Sequence, residues 1–201
     1  MMRMTIATAV LATLGLGAAE ATAQVFFKEP IDFAGTGCGA GSYVVSGADT
    51  DTLTILFSSY DAARPASHAA SGLERSSCSF ALPIRVPAGC QVSRLNTDWR
   101  GFAEGDTEFF REYFFAGQTK SISKTTSPAG NYTEQDRRLR HESYSVAGEE
   151  VILRINSSVR ALADESYIAV DTADLHNTLI LHLEQEDCGQ AVLPAILNIL
   201  L

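Results

Sequence analysis

Between Cys78 and Val86 the chain reads CSFALPIRV, and every second residue, Cys78, Phe80, Leu82, Ile84 and Val86, is apolar. A period of two places those side chains on one face of an extended strand, so the segment is half-buried and Cys78 points with that face into a core. The pattern recurs in TLTILFSS, where Leu53, Ile55 and Phe57 oppose Thr52, Thr54 and Ser58. EEVILRINSSVRAL sets Val151, Leu153, Ile155 and Val159 inward with Arg154, Asn156, Ser158 and Arg160 outward, and TLILHLEQ sets Leu179, Leu181 and Leu183 against Ile180, His182 and Glu184. Between them lie an aromatic segment, EFFREYFFAG, and a Ser/Thr/Lys strand, TKSISKTT. Glycine and proline clusters punctuate the strands at SGADTD, PAG, AGQ, SPAGN and VAGEE. Short strands at near-regular spacing predict an all-β antiparallel sandwich, jelly-roll-like and single-domain, rather than an α/β layout. Pro87-Ala88-Gly89 is expected to turn the chain into a partner strand beginning at Cys90, a hairpin that sets Cys78 opposite a residue near Asp98. YDAARPASHAASGLE, broken by Pro65 and Gly72, is expected to be an exposed excursion with at most one helical turn.

Residues 1–23 read as a secretory signal peptide: Arg3, an apolar run from Ile6 to Ala19, and the small-residue site Ala21-Thr22-Ala23. That run is shorter than the ~20 residues a transmembrane helix needs, so no transmembrane anchor is expected there. The mature chain then starts at Gln24, with a β domain over 24–188 and an apolar tail over 189–201. Its location is extracellular, or periplasmic or cell-surface in a bacterium. Removing the leader takes away Arg3 and Glu20, so the net charge of −9 persists. An acidic chain without a Lys/Arg cluster lacks the footprint of a nucleic-acid binder. Four cysteines, Cys38, Cys78, Cys90 and Cys188, are an even number in an exported chain, and disulfides are their expected state. None has zinc-site spacing, and four cysteines allow three pairings.

In GTGCGAGSYVV, Gly35, Gly37 and Ala40 fit the G-x-G-x-x-[GA] pattern of a dinucleotide loop. The helix that must open on such a loop is missing, because β-branched SYVVSG comes next and soon turns. The segment reads as a tight turn whose glycines bring Cys38 to its partner, and no cofactor is expected. No HExxH or G-x-S-x-G occurs. His68 and His141 read as solvated, and His176 and His182, six apart in a strand, stand about 20 Å apart, too far for one metal. Asp49 with Asp51, Asp164 with Glu165 and Asp171 with Asp174 sit near turns without EF-hand spacing, where local hydrogen bonding accounts for them. No metal site is expected.

NTDWRGF holds the single tryptophan, and Asp98, Trp99 and Arg100 form the candidate ligand face: an exposed indole stacks on a sugar and a guanidinium grips a carboxylate. The more common arrangement, and the reading favoured for this residue, is a core tryptophan beside an Asp/Arg pair. Asn131-Tyr132-Thr133 and Asn156-Ser157-Ser158 are glycosylation sequons, meaningful in a eukaryotic source.

The order GTGCGAGS, LTILFSSYDA, ERSSCSFALPIRVPAG, DWRGFA, YFFAGQT, SPAGNYT and LRINSSVRAL resembles the secreted family catalogued as domain of unknown function 4360, from Gly35 to Cys188. The resemblance implies export, a compact disulfide-bearing β fold and no established activity, so no catalytic residue is carried over. Cys38 matches the family's Gly-Thr-Gly-Cys, Cys78 its second cysteine, and Asp98-Trp99-Arg100-Gly101 its Asp-Tyr-Arg-Gly. Where the family shows Ser-Pro-Cys-Gly this chain has Ser145-Val146-Ala147-Gly148, and it carries Cys90 instead. The resemblance thus implies the pairs Cys38 to Cys78 and Cys90 to Cys188.

The tail, Ala191 to Leu201, is almost wholly apolar, too short to span a bilayer, and expected to dock on the sandwich. These features favour a non-catalytic extracellular binding or surface-structural module, with carbohydrate as a candidate ligand. The alternative is a secreted hydrolase, glycosidase- or esterase-like, with a dispersed active site.

Overall fold

A computed structural model describes residues 24–87, 91–139, 149–170 and 179–186. The leader, Cys90, Cys188, His141, His176, Asp171, Asp174, residues 145–148 and the apolar tail lie outside the described residues.

The alternating segments form strands throughout. In chain order they are β1 (Phe26–Phe27), β2 (Asp32–Ala34), β3 (Tyr43–Ser46), β4 (Thr52–Phe57), β5 (Asp61–Arg64), β6 (Arg75–Val86), β7 (Gln91–Glu104), β8 (Thr107–Phe115), β9 (Ile122–Thr126), β10 (Gly130–Leu139), β11 (Glu149–Ala161), β12 (Ser166–Val170) and β13 (Leu179–Glu186). They assemble into two antiparallel sheets. The first runs β1-β6-β11-β8-β9, with β2 also on β6. The second runs β3-β4-β13-β7, and β7 is its spine: β13 takes residues 91–99 and β12 takes residues 101–104 along one edge, β10 takes residues 95–103 along the other, and β5 completes the sheet beyond β12. Among the described residues no helix is long and apolar enough to cross a membrane.

The inward faces meet as the alternation requires. Leu53, Ile55 and Phe57 of β4, Phe80, Leu82 and Ile84 of β6, Leu153, Ile155 and Val159 of β11, and Leu179 and Leu181 of β13 are all buried. Trp99 sits at their centre, its ring 6.0 Å from Phe80 and 5.3 Å, edge-on, from Phe109. Ser158 departs from its expected outward place: it is buried in the middle of the first sheet, between Ser77 and Phe110 on the flanking strands.

Two local expectations are corrected. The expected hairpin at Pro87-Ala88-Gly89 does not form, because β6 and β7 belong to different sheets. Both edges of β6 are already taken, one by β11 over Arg75–Val86 and the other by β1 and β2. The segment from Tyr60 to Glu74 is only in part an excursion. Tyr60, Asp61, Ala62 and Ala63 are buried, with β5 paired to β12. The excursion is confined to the residues beyond, which include a single 3-10 turn at Ala66–His68. Asp61 fastens it down by accepting the backbone N–H of Ala70 at 2.5 Å and of Ser71 at 2.8 Å. Burial, then the charge of Asp61 and a hydrogen bond to it, push the Tyr167 hydroxyl pKa up to about 12.

The glycine-rich segment is a turn pinned on β6. Cys38 and Cys78 form a disulfide with their Cα atoms 5.5 Å apart. The Gly37 N–H donates to the Ser77 carbonyl at 2.9 Å, and the Ser77 N–H donates to Thr36 Oγ1 at 3.0 Å. A Cβ on Gly35 would lie 2.2 Å from the Ser77 carbonyl oxygen, and one on Gly37 would lie 2.1 Å from the buried Tyr60 ring. The turn leads into β3, and its tight glycine geometry carries Cys38 to the disulfide.

Gly37→Ala is expected to cost on the order of 1–3 kcal/mol by overpacking against Tyr60. Gly39→Ala, whose Cβ meets nothing within 4 Å, is expected to stay within about 0.5 kcal/mol of the parent. Urea melts of the two proteins check this, and equal midpoints would refute the account of the turn.

Candidate functional site

In β7 the inward positions are Leu95, Thr97, Trp99 and Ala103, so the residues of the candidate ligand face separate. Trp99 is 0% exposed and presents no ring to solvent. It leaves the face for the same reason that it fills the core, the period-two register of its strand. Asp98 and Arg100 stay on the outer side, Asp98 opposite Gln135 and Arg100 opposite Thr133 of β10. The Asp98 carboxylate lies against the Arg137 guanidinium.

Beneath that face is a charged group that alternation alone drives into the core. Arg111 shares the inward side of β8 with Phe109, Tyr113 and Phe115, and is 1% exposed. Its Nε donates to Asp136 Oδ2 at 2.8 Å and its Nη2 to Asp136 Oδ1 at 3.3 Å, a two-point grip on a carboxylate that is itself buried on β10. Nη1 donates to Thr126 Oγ1 at 3.0 Å, Glu134 Oε2 lies 3.4 Å from Nη2, and the guanidinium carbon stands 4.5 Å from the Phe109 ring centre. Asp136 Oδ2 also accepts the Tyr113 hydroxyl at 2.5 Å, and that hydroxyl oxygen accepts Trp99 Nε1–H at 2.6 Å. Burial by itself depresses the Arg111 pKa, but the hydrogen bonds and charge of Asp136, with Tyr113 and Glu134, hold it above its ordinary value. Burial first, then the charge of Asp136, push the Tyr113 hydroxyl far up, so it stays protonated and remains a donor. Both carboxylates, Glu134 and Asp136, face the same guanidinium, an arrangement that holds the two sheets together and leaves no free acid/base pair there.

Tyr113 connects this network to a cleft of 650 Å³ at one end of the sandwich. Leu95 from β7, Tyr113 and Phe115 from β8 and Leu153 from β11 form its buried floor. Gln118, Thr119, Lys120 and Ser121 of the β8–β9 turn, with Ile122, form an exposed rim, and half-buried Phe114 completes the lining. The turn is fixed by the Gln118 N–H donating to the Phe115 carbonyl at 3.0 Å and the Ala116 N–H donating to the Ile152 carbonyl at 2.9 Å. Pockets of this size, with an apolar floor and a few polar groups at the mouth, are where small ligands seat. The aromatic run EFFREYFFAG is the sequence signal for one wall; the other walls come from distant strands.

The remaining candidates stay apart. His68 is exposed on the 3-10 turn. His182 is exposed, with Nδ1 2.9 Å from Thr52 Oγ1, and Asp51 contacts the threonine hydroxyl at 3.0 Å instead of the imidazole. That order differs from a nucleophile–base–carboxylate chain, in which the acid orients the base. Asp49, Asp51, Asp164 and Glu165 occupy turns, and among the described residues no three His, Cys, Asp or Glu side chains group to hold a metal.

A sequence model of the family described as "Domain of unknown function (DUF4360)" matches residues 29–188. An "Uncharacterized secreted protein" of Arthroderma benhamiae is 29% identical over 174 residues, spanning 79% of this chain and 70% of that protein. Among solved structures, TmCBM61 in complex with beta-1,4-galactotriose aligns with 15% identity and a TM-score of 0.34, over 78% of this chain and 89% of that one. The family 11 carbohydrate-binding module of the cellulosomal cellulase Lic26A-Cel5E of Clostridium thermocellum aligns with 8% identity and a TM-score of 0.25, over 80% and 87%. The sandwich is established by the chain's own strand pairing rather than by these alignments.

Arg111→Met strands the Asp136 carboxylate in the core and is expected to cost about 3–5 kcal/mol. Arg111→Met with Asp136→Leu is expected to cost clearly less than the sum of the two single changes, by a coupling of about 2 kcal/mol or more in a double-mutant cycle of urea melts. Additive losses would show that the two side chains do not act as a pair.

Proposed function

This chain belongs to the family described as "Domain of unknown function (DUF4360)" and is secreted, and from that premise we propose that it is a non-catalytic extracellular binding module whose ligand, a saccharide, seats in the cleft beneath the β8–β9 turn. The observation that carries this reading is the chemistry of the lining. Tyr113, Phe114 and Phe115 offer aromatic carbon, while Gln118, Thr119, Lys120 and Ser121 offer amide, hydroxyl and ammonium groups at the mouth. A sugar is amphipathic in the same sense, with C–H faces that pack on rings and a hydroxyl edge that exchanges hydrogen bonds. Among the described residues the lining includes no carboxylate and no imidazole, the groups that general acid/base hydrolysis of a glycosidic or ester bond most often uses. The Tyr113 hydroxyl is already engaged by Asp136 and Trp99, so its ring is a fixed wall that needs no reordering when a ligand enters. Asp98 and Arg100, on the outer side of the second sheet, belong to a separate surface in this reading.

The test is a glycan array on the secreted chain, followed by calorimetric titration of the strongest saccharide. Gln118→Ala with Lys120→Ala, both exposed, is expected to weaken binding about tenfold or more with an unchanged melting midpoint. Arg100→Ala is expected to leave it unchanged. Full affinity in the rim variant, or its loss in Arg100→Ala, would move the site off the cleft, and product release from the bound saccharide would end the non-catalytic reading.

A further inference from the structure

The two sequons fall in different settings. Asn131 is the first residue after Gly130, which has φ +64°, and it lies on β10, whose partner among the described residues is β7 alone. Within Asn131-Tyr132-Thr133 the strand alternates: Asn131 and Thr133 are exposed, and Tyr132 turns inward to donate its hydroxyl to the Ala169 carbonyl at 2.8 Å. The acceptor amide and the hydroxyl that completes the sequon therefore share one solvent face. Asn156 lies in the middle of β11, with β6 on one side and β8 on the other, opposite Ser79 and Glu112. Its Nδ2 donates to Glu112 Oε2 at 3.1 Å, and Ser158, the hydroxyl of that sequon, is 4% exposed.

We propose that Asn131 is the N-glycan acceptor of this chain in a glycosylating secretory pathway and that Asn156 is not used. A transferase joins Asn131 Nδ2 to C1 of an oligosaccharide carried on a polyprenyl diphosphate. The Nδ2–C1 bond forms as the C1–O bond to the diphosphate breaks, the diphosphate leaves with the electron pair, and one Nδ2 proton departs, with no redox change. The first sugar then stands over Phe102, which faces Asn131 across the strand pair and whose ring lies 6.4 Å from Tyr167. It covers half-buried aromatic carbon on the outer side of the second sheet, away from the cleft, so this inference does not depend on the proposed ligand site.

The experiment secretes the full chain from a glycosylating yeast host and measures intact mass before and after peptide-N-glycosidase, which leaves Asp at the position that carried the glycan. The parent and Asn156→Gln are expected to carry one glycan, with the new Asp at position 131 in the peptide map. Asn131→Gln and Thr133→Val, the latter keeping the asparagine, are expected to carry none while melting as the enzymatically deglycosylated parent does. No glycan on the parent, two glycans, or a glycan that survives in Asn131→Gln would overturn the assignment. The peptide map of the parent decides the site even where a variant is not secreted.

Discussion

The pairing of Arg111 with Asp136 is the contact on which the two sheets agree. One partner comes from β8 in the first sheet and the other from β10 in the second, and both are buried. A buried ion pair adds little net stability over a well-packed apolar pair, but one half left alone is heavily penalised. That asymmetry makes it a register lock. Sliding β10 by one residue along β7 would turn Asp136 outward and leave the guanidinium in the core without its carboxylate. Apolar packing of Phe80, Trp99 and Phe109 tolerates small rearrangements; the charge pair does not.

The same network organises its surroundings in two directions. Toward the centre, the Tyr113 hydroxyl ties Asp136 to Trp99 Nε1, so the one tryptophan is satisfied without water. Toward the open end, the Tyr113 ring becomes part of the cleft floor. The cleft thus inherits its rigidity from a group of residues whose primary duty is to join the sheets. The disulfide acts at a distance from this, fastening the Gly35–Gly37 turn onto β6 where backbone and Tyr60 leave no space for a side chain.

Local features are the ones legible in the chain alone. The period of two locates β4, β6, β11 and β13 with their buried faces, and the family resemblance carries the Cys38 to Cys78 pair. Pairing partners are not local. Whether Pro87-Ala88-Gly89 closes a hairpin depends on whether the edges of β6 are free, and they are filled by β1, β2 and β11, strands far away in the sequence. Trp99 obeys the same parity rule as its neighbours, and that rule outranks the chemical interest of Asp98-Trp99-Arg100 as a face. Arg111 shows the converse: the period puts it among Phe109, Tyr113 and Phe115, yet nothing nearby announces the carboxylate, 25 residues on, that makes its burial tolerable. The cleft needs walls from both sheets and so has no signature of its own.

At the border of the first sheet, Ser123, Lys124 and Thr125 of β9 are exposed, so the strand offers hydroxyls and an ammonium on both of its faces. Among the described residues β9 pairs with β8 alone, and an unpaired sheet edge is a template onto which another extended chain can add. Here an incoming strand would have to desolvate Lys124, and of the exposed residues of β9 only Ile122 offers it apolar contact in return. For a protein released into surroundings where no chaperone attends it, the plain composition of that border is a form of protection against self-association.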